Sequence, residues 1–116
     1  MFDGVPLNHY YWCRELMKTQ YQIIYWRDIP AQVKIRGTEN RTARGLSPRF
    51  QEAIDEAAMR ANLFGTDDYL TMWRMSKWEE REGEPSFVAD ALVAELEAAF
   101  PPDRLMRLAL NGGVEE

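Results

Sequence analysis

Six residues, Ala31 to Arg36, restrict the fold of this chain more than any others. Ala31, Val33 and Ile35 alternate with Gln32, Lys34 and Arg36, the period-two pattern of a strand with one buried and one wet face. Just before them, "QYQIIYWRD" (residues 20–28) is rich in aromatic and branched side chains and is closed by Pro30, which predicts a largely buried strand. Two strands in tandem need a second layer to bury their apolar faces.

The rest of the chain supplies that layer. After a loop over residues 37–46, Ser47 reads as a helix N-cap and Pro48 as the first helical residue, where its missing N–H costs nothing. Phe50, Ala53, Ile54, Ala57, Ala58 and Ala61 then recur at the spacing of one narrow buried stripe. "NLFGTDD" breaks this helix, and "YLTMWRMSKW" reads as a third strand, with its Met and Leu leaving a helix as the alternative. Glu79 to Glu84 reads as an acidic turn ended by Pro85; Ser86 caps a second helix, "FVADALVAELEAAF", which Pro101-Pro102 terminates. "DRLMRLAL" before Asn111-Gly112-Gly113 predicts a short third helix with a glycine stop.

This order predicts an α+β two-layer sandwich, with a small antiparallel-rich sheet of about three strands and two or three helices on one face. The 116 residues suffice for one compact core. The expected division is an arm at 1–19, a single domain at 20–110 and a C-terminal tail at 111–116. Which aromatics face the open side is not fixed by pattern, because a one-residue slip exchanges the two faces of a strand. For the third strand the alternatives are Tyr69, Thr71, Trp73, Met75 and Lys77, or Leu70, Met72, Arg74, Ser76 and Trp78.

The opening segment lacks the charged start, apolar stretch and cleavage site of a secretory signal, so a cytoplasmic location is the expectation. No apolar run approaches the roughly 20 residues of a membrane helix. Residues 1–16 carry no periodic pattern, whereas Met17 leads straight into a strand; Met17 is therefore a candidate initiator. The alternative is an aromatic arm (Phe2, Tyr10, Tyr11, Trp12) docked on the domain or on a second copy. A single cysteine, Cys13, rules out a disulfide or multi-cysteine metal site within one chain.

Against a formal net charge of −5, the segment 34–49 holds five cations, Lys34, Arg36, Arg41, Arg44 and Arg49, and one carboxylate, Glu39. Gly37 and Gly45 free its backbone and Ser47 opens a helix whose N-terminus favours negative charge. These features describe an anion clamp for a phosphate, a carboxylate or an acidic protein surface. The plainer reading is a solvated loop whose arginines pair with the protein's own carboxylates, each exposed pair contributing about 0–1 kcal/mol. The spacing matches no phosphate-loop fingerprint.

Trp26-Arg27 and Trp73-Arg74 suggest aromatic-plus-cation recognition of bases, but the acidic chain argues against nucleic acid, whose binding domains generally have a pI above about 9. Burial is the stronger reading for both tryptophans. Glu79, Glu80, Glu82 and Glu84 follow no calcium-loop spacing and read as solvated surface, or as an acidic patch facing the basic loop of a second copy. His9 and Cys13 supply two ligands where structural zinc needs four, so no metal or cofactor is expected. Asp28, the one carboxylate in the aromatic segment, reads as a turn cap or ion-pair partner rather than an acid or base.

The segments "IIYWRDIPAQVKIRG" and "YLTMWRMSKWEE" resemble a small bacterial virulence factor domain family, over about residues 20–100, with "YWRDIPAQV" (25–33) the most specific part. The same domain is found in conserved virulence factor C, beside HEAT-like repeats and a domain like the N-terminal part of iron-sulfur scaffold proteins. The resemblance implies no reaction and carries no catalytic residues. Sequence and resemblance together lead to a non-enzymatic interaction module that binds an acidic protein or phosphorylated ligand. Arg36, Arg41 and Arg44 would make the charged contacts, and Trp26 or Trp73 would be the aromatic anchor. The alternatives are an accessory subunit of a metal-cofactor or one-carbon enzyme complex, resting on family context alone, and a small enzyme using carboxylate acid-base chemistry in a deep pocket.

Overall fold

A computed structural model describes residues 18–37 and 41–115. His9, Cys13, Met17, the aromatic arm and Glu39 lie outside the described residues. The fold is α+β, with a five-stranded antiparallel sheet and, among the described residues, four helices. Strands β1 (Lys18–Trp26), β2 (Ile29–Arg36) and β3 (Arg41–Gly45) form a meander. Helices α1 (Pro48–Arg60) and α2 (Asp67–Thr71) follow, then strands β4 (Trp73–Met75) and β5 (Glu79–Glu82), then helices α3 (Pro85–Ala99) and α4 (Pro102–Leu110). The sheet order is β3-β2-β1-β4, and β5 also pairs with β1.

The first two strands form where the residue pattern places them. Val33 and Ile35 are buried, and Ile23 and Tyr21 lie opposite them on β1. The register shifts between Ile24 and Tyr25, so that Ile24 faces Gln32 while Tyr25 faces Pro30. A bulge suits this place, because proline cannot donate to a ladder.

The remaining strands depart from expectation. β3 falls inside the segment predicted as loop; it has no large apolar side chain, and its pairing with β2 (Ile35 opposite Thr42, Val33 opposite Arg44) makes it a strand. The predicted third strand divides into helix α2, capped by Thr66, and the three-residue β4. The predicted acidic turn contains β5, because β1 is long enough to pair with β4 at Ile24–Trp26 and with β5 at Lys18–Tyr21. Between the two, Ser76 bridges the gap: its N–H donates to the Ile23 carbonyl and its Oγ accepts from Ile23 N–H, both at 2.9 Å.

Two apolar clusters lie on one side of the sheet. In one, Phe50, Ala53, Ile54, Ala57 and Ala58 of α1 pack with Trp26, Ile29 and Leu105, Leu108 and Ala109 of α4. In the other, Val88, Ala89 and Leu92 of α3 pack on Val33 and Ile35. The alanine stripe of α1 was the predicted buried face, and it is the buried face. Two capping expectations change. Ser47 occupies the N-cap position, but its N–H and Oγ both donate to the Glu97 carboxylate, at 2.7 and 2.9 Å. Helix α3 begins at Pro85 with Glu84 as N-cap, two residues before Ser86.

Candidate functional site

The most specific segment of the sequence, around Trp26-Arg27-Asp28, sits at the tip of the β1–β2 hairpin and has a structural task. Trp26 is fully buried and its Nε1 donates to the Tyr69 carbonyl at 2.9 Å. Arg27 has a left-handed φ of 53°; its N–H donates to Met72 O at 3.0 Å and its guanidinium to Gly112 O at 3.0 Å. Asp28 receives the Glu115 N–H at 2.8 Å and faces Arg74 at 3.4 Å, while its own N–H donates to Gly113 O at 2.9 Å. Gly113 has φ +90°, and a Cβ there would sit 2.9 Å from Trp26 Cζ3. The C-terminal residues 111–115 thus lie across the hairpin tip as a clasp. Trp26 belongs to the core, so it leaves the set of surface anchors; large buried apolar area favours that outcome. One Asp28 oxygen accepts from the clasp and the other faces Arg74, which matches its reading as an ion-pair partner.

The five cations of segment 34–49 are not brought together; the sheet sorts them by face. Arg44 points to the helix side and pairs with Asp90 of α3. Arg49 pairs with Glu97 Oε1 at 2.9 Å and donates to the carbonyls of Glu97 and Phe100, tying the start of α1 to the end of α3. On the same side Arg81 of β5 pairs with Glu95 at 2.9 Å, and the Tyr21 hydroxyl donates to Glu79 at 2.8 Å. Burial and the Glu79 carboxylate together raise the Tyr21 phenol above its ordinary pKa.

Lys34, Arg36 and Arg41 point to the opposite face, which the described helices leave open. Arg36 and Arg41 are direct cross-strand partners, and Lys34 lies two residues from Arg36. Directly opposed residues of this kind have Cβ atoms about 4.5–5.5 Å apart, and like charges there are destabilising. Arg36 is held in place: its Nε donates to Gln20 Oε1 at 2.8 Å and its guanidinium stacks 4.0 Å from the Trp78 ring. Among the described residues, Lys34 and Arg41 make no ion pair. The open face becomes acidic towards its other edge, where Glu80 lies opposite Gln20 and Glu82 opposite Lys18. Trp78 was not singled out from sequence, because its contact depends on β5 lying beside β1. Trp73, half-buried in β4, lies at the other end of the sheet beside Tyr69.

Among the described residues no three His, Cys, Asp or Glu side chains converge to hold a metal ion. No described helix is long and apolar enough to cross a membrane.

Fold and surface together define an α+β domain whose described helices cover one sheet face and leave the other, charged face open. Comparison with protein families assigns it more closely: the profile of the family described as "Virulence factor" matches residues 24–109, and the chain belongs to that family. The match contains the hairpin tip's Trp26-Arg27-Asp28 and all three open-face cations, and ends before the clasp. No curated protein and no solved structure matches the chain.

Proposed function

We propose that the open sheet face is a docking surface for an anionic partner, an acidic protein segment or a phosphorylated ligand. The observation that carries this reading is the sorting of cations. On the helix side Arg44, Arg49 and Arg81 each have a carboxylate, Asp90, Glu97 and Glu95. On the open side Arg36 and Arg41 oppose each other across two strands, with Lys34 beside them. In an acidic chain with 19 carboxylates to 14 cations, placing three cations together with no ion pair to a carboxylate among the described residues is a cost that an external anion would offset. Arg36, pre-positioned by Gln20 and Trp78, would lose little side-chain freedom when it meets a carboxylate or phosphate. Arg44, expected from sequence to share in this contact, is instead bound to α3.

The test is an NMR titration of the full chain with an oligoglutamate peptide. Expected are amide shifts confined to residues 32–36 and 41–45, weakening as salt rises and lost in the double variant Lys34→Glu/Arg41→Glu. Arg60→Glu, which reverses a cation on α1, should leave them unchanged. Equal shifts in all three proteins would show that the face does no specific work.

A further inference from the structure

At the end of the sheet where β3 turns into α1, between the open face and the helix layer, lies a recess of about 370 Å³. Ile24, Ala31 and Leu46 line it with apolar surface, Trp73 forms a wall, and Gln32 and Gln51 contribute carboxamides. Gly45 stands at its rim. A Cβ built on Gly45 would meet no heavy atom within 4 Å, and Gly45 is not among the glycines with positive φ. Neither packing nor backbone conformation therefore requires glycine at this strand position. Glycine in a strand often marks a bend or a place that a ligand approaches closely, and Gly45, the last residue of β3, lines the recess. The missing side chain is what keeps the recess open.

The recess and the cations are in step. Gln32 is paired with Gly45, Lys34 with Ala43 and Arg36 with Arg41, three rows on one face, each about 6.5–7 Å from the next. An extended peptide carries its alternate side chains at that same interval. We infer that the partner is an extended acidic segment of a protein, with one bulky apolar residue seated in the recess and acidic residues two and four positions away meeting Lys34 and the Arg36–Arg41 pair. This rests on the anion-docking reading above. It adds the anchor and the spacing: a central apolar side chain in a pocket supplies most of the affinity of such an interface, with the charges setting register. Trp73, which sequence alone offered as an anchor, becomes the wall that receives one.

Three capped peptides test it on the full chain: Phe-Ser-Glu-Ser-Glu, its reverse, and Ala-Ser-Glu-Ser-Glu. One Phe peptide should bind about ten-fold or more tightly than the Ala peptide. Gly45→Leu, which fills the recess, should abolish that difference while leaving the Ala peptide's Kd unchanged. Gly45→Val, whose branched side chain suits a strand, repeats the test should the leucine disturb the fold, which the amide spectrum reports. Equal Kd values for Phe and Ala peptides, both lost in Lys34→Glu/Arg41→Glu, would overturn the recess and leave the anion face standing. Binding that ignores Lys34→Glu/Arg41→Glu, or none at all, would overturn both.

Discussion

The hairpin tip and the open face use the same residue type to opposite ends. At the tip, Arg27 and Arg74 donate to backbone carbonyls, Gly112 and Arg27 itself, at 3.0 and 2.9 Å. On the face, Arg36 and Arg41 stand opposite each other across two strands. An arginine whose donors end on the protein's own carbonyls is part of the fold's closure; one set against another arginine adds repulsion that the fold alone does not require. The difference separates cations that close the fold from cations that oppose one another, where composition and sequence spacing do not.

That contrast can be broken at its strong end first. Trp26→Ala removes the tip's buried ring and one of the two donors to the Tyr69 carbonyl, and should lower stability by about 3–5 kcal/mol in chemical denaturation. Gly113→Ala forces a methyl group against the Trp26 ring at a left-handed φ and should cost about 1–3 kcal/mol, seen as a lower midpoint with the same spectrum. At the weak end, Arg41→Glu should leave stability unchanged or raise it by about 0.2–1 kcal/mol, since it converts a like-charge pair into an attractive one, while weakening peptide binding. A clear fall in stability on Arg41→Glu would mean that the cation has a structural partner, and the two regions would no longer differ in kind.

How much of this was readable beforehand follows from the length and contrast of each pattern. The alternation ending at Ile35 and the alanine stripe of α1 carry enough apolar residues to fix a face, and both formed as expected. Arg41 to Gly45 contains no large apolar residue, so nothing local marks it as a strand or phases its side chains. Without β3 the segment looks like one basic loop; with it, Arg41 and Arg44 fall on opposite faces. The acidic β5 is equally silent, being a strand through what β1 offers it rather than through its own propensity. The recess was unreadable for the same reason, since Gly45 acquires its neighbour Gln32 only through β3 pairing. The family profile covers the hairpin tip and the face alike, and ends at residue 109, before the clasp.

The clasp also sets an order of events. Arg27 finds its carbonyl acceptor 85 residues further on, and Asp28 its amide donor 87 residues further on. At synthesis rates of about 5–20 residues per second, several seconds separate the making of the hairpin tip from the making of its partners. During that interval Trp26 lacks the seat that Tyr69 and Gly113 later provide, and closing so long a loop is the slow kind of step. The segment of the chain with the most specific sequence is made early and is among the last to be finished.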